Sequence, residues 1–594
     1  MDRVLTVREL LANASNETPD APALLTPDGA SLSYRSLLER VDGVGGLLAS
    51  VGIRPSDRVA IVLPGGTDLA VALLGTCSYA VAAPLYPHSP VDALHSAFEA
   101  LGVTAVLTTP DSSAADAATI GGRSVRVIDG VGLADPSRPL PSAPQTGSRP
   151  EDVALVLRTS GTTGAAKTVP LRAAHLTTSA RTVAASLRLD HSDCSLNVMP
   201  LFHVHGFVAG LLAQLAVAGT VICTPGLHAG LFPQWMEQLR PTWYTATPTM
   251  HHAVLSALGD GMLPTHTLRF VRSASAPLPP ALTARLEAAF GVPVIEAYGM
   301  TEAAHQITSN PLPPASRKPA SVGIPTGCEV AVMTEPGRRA TAGQVGDVVV
   351  RGPSVFDGYV GGEHASAWPD DWFDTGDRGY LDVDGYLFLV GRSKEMINRG
   401  GETIAPREVD EVLLAHPAVA EAVAFAIPDD RLGETVAAAV VLVAGATINV
   451  ARLREFAANR LPAASVPERI AVVAALPTGP TGKVQRIALA RRLAQELNTP
   501  PVDDTDPQPA AMAVERVVAD VWAEVLAVAA VDRNDQFRDL GGDSMLAEHI
   551  LTRLQDALGI ALPAAQLLQA STVAEQAALI ARLGPGSAKG DHDR

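Results

Sequence analysis

Residues 153–167 read VALVLRTSGTTGAAK, an apolar and β-branched run at 153–158 followed by Thr159, Ser160, Gly161, Thr162, Thr163 and Gly164, and then by Lys167. The run is short and bounded by turn residues, which predicts a buried strand rather than a helix. In the turn, small residues let backbone N–H groups approach phosphate oxygens, and the hydroxyls and the lysine add donors. It is not the P-loop signature, because Gly-Lys-Ser/Thr is absent. An ordinary surface turn has the same composition, so residues elsewhere in the chain must decide between the two.

Outward from this stretch, similar runs at 58–63, 105–109, 220–224, 270–273 and 292–296 alternate with Ala/Leu-rich helical patterns. Short buried strands between helices predict an α/β architecture with largely parallel sheets. Residues 135–150, rich in Pro and Ser, read as a surface connection. The uncharged stretch 206–223 has Gln214 at its middle and many Gly and Ala, and reads as a buried helix running into a buried strand rather than as a membrane span. From Glu329 the pattern changes to short strands with Gly-rich turns, which predicts a small β region. After Gly391-Arg392 comes a smaller α+β stretch, with a helix near 406–415, strands near 419–427 and 437–443, and a helix at 450–461. Residues 498–511, NTPPVDDTDPQPAA, have the composition of an extended linker. The segment 512–583 is almost all helical pattern, and 584–594 reads as a frayed tail.

The chain has 594 residues, 47% of them hydrophobic and 18% charged, enough for several packed domains and not the composition of a disordered chain. Its net charge of −17 argues against a chain-wide footprint for nucleic acid or an anionic membrane. Residues 501–594 hold 7 Lys/Arg against 15 Asp/Glu, a balance of −8, so about half of the excess lies in the last segment. The four cysteines, Cys77, Cys194, Cys223 and Cys328, lack metal-ligand spacing and indicate neither a disulfide framework nor a zinc site. With no basic-then-apolar leader at the N-terminus, a cytoplasmic location is expected.

Four further motifs succeed the loop in order: Tyr298-Gly299-Met300-Thr301-Glu302, Thr375-Gly376-Asp377, Gly391-Arg392 and Gly482-Lys483. Together the five resemble the adenylate-forming superfamily, which includes acyl-CoA synthetases, luciferases and nonribosomal adenylation domains. The resemblance implies a carboxylate attacking the α-phosphate of ATP, a reaction that sets two anions against each other and needs cations and oriented donors. It assigns the loop 159–167 to the phosphates, Thr301 to the α-phosphate and Glu302 to Mg²⁺. Tyr298 is assigned to the adenine face, and Asp377 and Arg392 to the ribose. Lys483 is assigned to the carboxylate and phosphate oxygens during adenylation. It also implies a mobile lid, hinged at Lys394, that alternates between adenylation and thioester formation. Rotation there would bring 398–402, with Gly400-Gly401, towards the site for a pantetheine arm. The same glycine pair is also what a hairpin turn requires.

Amino-acid-activating relatives usually carry Asp after the Phe of a Phe-Asp motif, to pair with the substrate ammonium. Here Phe202 is followed by His203, and a buried ammonium without a carboxylate is strongly disfavoured. An ordinary α-amino acid is therefore not the expected substrate. Phe202-His203-Val204-His205-Gly206 is instead similar to acyl-CoA synthetases acting on small acids, malonyl- and oxalyl-activating members included. The expected acyl pocket draws on His203, Val204, Phe207, Thr245, Val271, Arg272, Ser273, Ala297, His305 and Gln306. His205 joins Lys483, Thr301 and Glu302 as a candidate catalytic residue, while His203 and His205 also fit packed core positions. Arg272 is placed either to pair with a second substrate carboxylate or to form a structural salt bridge.

The segment 535–546 contains Leu540-Gly541-Gly542-Asp543-Ser544 and resembles the attachment site of acyl and peptidyl carrier proteins, with Ser544 at a helix start as the 4′-phosphopantetheine site. Apolar stripes at 515–528, 544–558 and 573–583 fit a carrier bundle. The expected fold is a large α/β N-terminal adenylating domain (1–391), a small α+β C-terminal lid subdomain (392–497), a linker (498–511) and an all-α four-helix carrier bundle (512–583), with a tail (584–594). The expected function is ATP- and Mg²⁺-dependent activation of a small carboxylic acid and its transfer to the chain's own carrier, in secondary-metabolite or antibiotic biosynthesis. The expected partners are a phosphopantetheinyl transferase and downstream assembly-line enzymes on separate chains, with no nucleic acid and no membrane. An acyl-CoA ligase with a fused carrier, or a non-catalytic carrier scaffold, are the alternatives.

Overall fold

The computed structural model describes residues 3–594 except 121–124, 145, 160–166, 260–265, 362–367, 430, 444, 477–485, 487–488, 491–492, 494–508, 527–530, 534, 538–549, 552, 556–571 and 584–594. The chain divides into two compact units, Met1–Gln495 and Glu496–Arg594.

In the first unit, the six-stranded sheet runs in the order Arg126–Asp129, Ala105–Thr108, Arg58–Val62, Val81–Pro84, Val153–Thr159, Lys167–Arg172, parallel except for its last, antiparallel pair. The nine-stranded sheet has at its centre the parallel strands Val294–Met300, Phe270–Ser273, Trp243–Ala246, Cys194–Asn197 and Thr220–Cys223. Strands such as Val81–Pro84 and Ala105–Thr108 are buried along their whole length, as helices covering both faces of a parallel sheet require. The expected α/β class therefore stands. The predicted strand at 292–296 begins later and runs further, as Val294–Met300, carrying the Tyr298-Gly299 pair inside the sheet.

The apolar stretch after Phe202 is buried, as its composition requires, but its first part, His205–Leu212, is a π-helix rather than an α-helix. Its glycines explain how it packs. A Cβ on Gly206 would lie 2.3 Å from the Pro200 carbonyl oxygen, and one on Gly210 would lie 2.5 Å from Asn197 Oδ1. The helix thus lies close against residues 197–200, and at Gly206 the Pro200 carbonyl leaves no room for a Cβ. Among the described residues no helix is long and apolar enough to cross a membrane.

Next in the chain is an antiparallel five-stranded sheet, Arg338–Arg339, Glu329–Glu335, Gly346–Arg351, Phe373–Leu381, Leu387–Arg392. Beyond it, the long hairpin Val419–Asp429/Gly433–Leu442 carries the parallel strand Arg469–Val472 and the short hairpin Ile397–Arg399/Glu402–Ile404, covered by helices Pro406–Leu414 and Val450–Ala458. Gly400 and Gly401 form the turn of the short hairpin, with φ of 58° and 93°, the left-handed region that glycine enters freely.

In the second unit, helices Pro509–Leu526 and Val573–Leu583 pack around Trp522, together with Ile550 and Leu554. Trp522 Nε1 donates to Gln576 Oε1 at 2.9 Å. The expectation of four helices, and Ser544 itself, extend beyond the described residues.

Candidate active site

The strand Val153–Thr159 pairs antiparallel with Lys167–Arg172, and Thr159 stands opposite Lys167. Ser160, Gly161, Thr162, Thr163 and Gly164, between these two strands in the chain, lie outside the described residues. The strand Val294–Met300 ends in a short 3₁₀ turn, Thr301–Ala303, which buries Glu302. The chain then doubles back as His305–Ser309, with Met300 opposite His305. Ala304 and His305 have φ of 51° and 111°, strained values that concentrate at functional sites. Gly299 is obligatory in this return, because a Cβ there would lie 1.4 Å from the His305 carbonyl oxygen.

Tyr298 donates its hydroxyl to Asp377 Oδ2 at 2.5 Å, and Arg392 Nε lies 3.1 Å from Asp377 Oδ1. Asp377 and Arg392 face each other across adjacent antiparallel strands. Burial first, and the neighbouring Asp377 second, hold the Tyr298 phenol in its protonated form. Glu302 Oε1 accepts from the Tyr359 hydroxyl at 2.8 Å. Mg²⁺ is usually held by one or two carboxylates together with substrate phosphates. A single buried carboxylate with one oxygen already oriented fits that pattern. Among the described residues, no group of three or more His, Cys, Asp or Glu is placed so that it could hold a metal ion.

The second half of the site centres on Arg272, whose side chain is fully buried. Nη1 lies 3.2 Å from Thr245 Oγ1 and 3.4 Å from His205 Nε2, and Nη2 lies 2.9 Å from both His305 Nε2 and Gln306 Oε1. Nε is buried without a partner. Among the described residues no carboxylate pairs with this guanidinium, which excludes the structural salt bridge there. Burial pulls its pKa down to about 9, which still leaves it charged at neutral pH. The surrounding groups are neutral. His205 bonds Thr245 at 2.6 Å and Ser275 at 2.9 Å and stacks on His305 at 4.9 Å, and burial holds both imidazoles well below the usual histidine range. Gln306 Nε2 donates to Ser186 at 3.0 Å and Thr326 at 3.1 Å, which turns its Oε1 towards Arg272.

Thr245, Arg272, His305 and Gln306, expected in one pocket, thus bond to one another, and His205 joins them. Val204 and Phe207 lie on either side of His205 in the buried core, and Ala297 is buried on the neighbouring strand. Val271 departs from the expectation. The two-residue period of a strand turns it to the opposite face from Arg272, where it packs with Phe232, Tyr244 and Phe290. Ser273 shares that parity, and its hydroxyl is buried without a partner. His203 packs beside Phe202 at 4.7 Å with Nε2 unpartnered, and burial lowers its pKa to about 4. Ser275, Ser186, Thr326 and Tyr359 were not expected. Isolated hydroxyl residues, whether in a loop or at a helix end as Ser186 is, carry no sequence signal until the fold supplies their partners.

Arg392 and Ser393 are tied to the antiparallel five-stranded sheet, Ser393 N donating to the Gly376 carbonyl at 2.9 Å. Glu395 is tied to the smaller α+β part of the chain, through Arg486 at 3.2 Å, and Arg486 also reaches Asp410 at 2.7 Å. Lys394 stands exposed between these two sets of anchors. Lys483 lies outside the described residues.

Comparison with known proteins shows which family the chain resembles. The family model described as AMP-binding enzyme matches residues 11–360, that of the AMP-binding enzyme C-terminal domain matches 408–483, and that of the phosphopantetheine attachment site matches 516–580. An oxalate–CoA ligase of Arabidopsis thaliana is 38% identical over 510 residues, covering 83% of this chain and 99% of that protein. A sulfoacetate–CoA ligase of Cupriavidus necator is 36% identical over 508 residues, covering 82% and 97%. The crystal structure of ATP-bound MatB from Rhodopseudomonas palustris superposes with a TM-score of 0.76 at 27% identity, covering 83% of this chain and all of that one. The chain therefore belongs to the AMP-binding enzyme family, as an adenylate-forming ligase with a C-terminal phosphopantetheine attachment domain.

Proposed function

We propose that this ligase activates a small acid bearing a second anionic group, and passes the acyl unit from its adenylate to the pantetheine thiol on Ser544. The observation that carries the reading is Arg272, a buried guanidinium surrounded by neutral acceptors and, among the described residues, lacking a protein anion. An uncompensated buried cation is costly unless a ligand supplies the counter-charge. The oxalate- and sulfoacetate-activating relatives are named for acids of this kind.

In adenylation, one carboxylate oxygen of the acid attacks the α-phosphorus of ATP and pyrophosphate leaves. Arg272 holds the distal anion, with Gln306 and His305 fixing the guanidinium plane. Thr301 and Lys483 offset the charge on the phosphate and carboxylate oxygens, and the loop 159–167 cradles the phosphates. Tyr298 borders the adenine, and Asp377, braced by Tyr298 and Arg392, accepts from the ribose hydroxyls. Mg²⁺, when bound at Glu302, neutralises phosphate charge. His205 is better suited to shaping the pocket than to proton transfer, since both ring nitrogens are already engaged. In the second half-reaction the lid turns about Lys394 and the pantetheine thiol attacks the acyl carbon. AMP leaves and the thiol proton passes to solvent.

A carrier-bound thioester suits handover to an enzyme on a separate chain, as in secondary-metabolite assembly, after a phosphopantetheinyl transferase has primed Ser544. The names of the relatives favour a second reading, transfer to free CoA. ATP–pyrophosphate exchange with oxalate, malonate and sulfoacetate against acetate and propionate tests the substrate class. Intact mass of the pantetheinylated protein, with and without CoA, tests the acceptor. Exchange restricted to monoanionic acids would overturn the substrate class, and acyl-CoA formation with an unloaded carrier would overturn the acceptor.

A further inference from the structure

Tyr359 belongs to none of the five motifs, yet it touches two of them. Its hydroxyl donates to Glu302 Oε1 at 2.8 Å, and Lys167 Nζ lies 4.5 Å from the centre of its ring. Glu302 and Lys167 are 135 positions apart in the chain, and the aromatic ring brings them to its edge and its face. The segment carrying Tyr359 is fixed on both sides. Phe356 N donates to the Glu302 carbonyl at 2.8 Å, Val360 N donates to the Thr168 carbonyl at 3.1 Å, and Asp357 pairs with Arg172 at 2.7 Å. Phe356 packs edge-on against Phe373 and against the Tyr359 ring.

A phenol donating in its own plane orients a carboxylate, and its π face attracts an ammonium without neutralising it. An ammonium over the face and a carboxylate at the hydroxyl are separated by the ring. We propose that Tyr359 is a positioning residue of the nucleotide site, which orients the Glu302 carboxylate towards a phosphate-bound divalent cation and steadies Lys167 for the phosphates. This rests on the reading of Glu302 and Lys167 as nucleotide-site residues.

The test is calorimetric titration of the full-length protein with a non-hydrolysable ATP analogue, in Mg²⁺ and in EDTA. Tyr359→Phe keeps the ring and deletes the hydroxyl. Its affinity gain from Mg²⁺ should fall by about tenfold relative to wild type, with affinity in EDTA unchanged, since one charge-assisted hydrogen bond is lost. Tyr359→Leu should weaken binding in EDTA as well, because Lys167 loses its platform. An unchanged Mg²⁺ gain in Tyr359→Phe, or an equal loss in both buffers, would overturn the proposal. Glu302→Gln is the control: if it keeps the full Mg²⁺ gain, the reading of Glu302 fails, whereas a lost gain there beside an unaffected Tyr359→Phe sinks the role of Tyr359 alone. If Tyr359→Leu does not fold, the phenylalanine variant decides.

Discussion

Gln306→Glu places a carboxylate where Arg272 now meets a neutral amide oxygen, 2.9 Å from Nη2. The change is nearly isosteric, and the Ser186 and Thr326 hydroxyls, which now accept from the amide, can donate to the carboxylate by giving up their bonds to the Val183 and Ile307 carbonyls. The fall of the Arg272 pKa to about 9 corresponds to roughly 5 kcal/mol against the charged form, because the guanidinium has left water and, among the described residues, no anion has replaced it. A glutamate at 306 supplies that anion from within the protein. Close buried pairs couple by about 1.5–7 kcal/mol, while burying the new carboxylate costs several kcal/mol. The two contributions nearly cancel, so the melting temperature should change little. Binding should change much more, since the distal anion of the acid loses its unpaired cation and meets a like charge. A loss of at least about 2 kcal/mol, or roughly 30-fold in kcat/KM, is expected for oxalate, malonate or sulfoacetate. Monoanionic acids of similar size should stay within about threefold. ATP–pyrophosphate exchange over the two classes measures both. Unchanged exchange with the dianionic acids, or equal losses in both classes, would refute the assignment of Arg272 to the substrate.

Other outcomes rest on single residues. Burial pushes the Glu296 carboxyl up to about 7, with Arg407 opposing. The native state then holds this proton more tightly than the unfolded state, so its stabilisation is present at low pH and fades as pH rises from the ordinary carboxylate range through about 7. Glu296→Gln, which can still accept from Leu278 N, should therefore raise the melting temperature at pH 8, by up to about 3 kcal/mol of stability, and leave it nearly unchanged at pH 4, below the ordinary carboxylate pKa; an equal shift at both values would contradict the cause given. Gly299→Ala should cost more than about 3 kcal/mol, read by thermal unfolding or by loss of folded protein, because its Cβ would collide with the His305 carbonyl. Ser544→Ala should abolish carrier loading in intact mass and leave exchange intact. Lys483→Ala should impair adenylation far more than thioester formation from a supplied acyl-adenylate, and equal losses would argue against a swinging lid.

By itself the sequence determined the α/β class, because runs such as 153–158 and 105–109 are apolar on both faces and only a sheet covered on both sides buries them. It also determined the family and the order of its parts. Five motifs spread from Thr159 to Lys483 leave little freedom to the chemistry, and Leu-Gly-Gly-Asp-Ser marks the carrier. The sequence could not choose between the two readings of Arg272, since partners for a buried cation come from strands and loops far away in the chain. Tertiary structure supplies what bears on it, setting Thr245, His305 and Gln306 around the guanidinium without an anion among the described residues. It also removed Val271 from that group, because pleating alternates the faces of a strand. The π-helix at His205, the return of the chain at Gly299, and the meeting of Lys167 and Glu302 at Tyr359 arise the same way. Each depends on how closely two distant backbones approach, a distance set by packing.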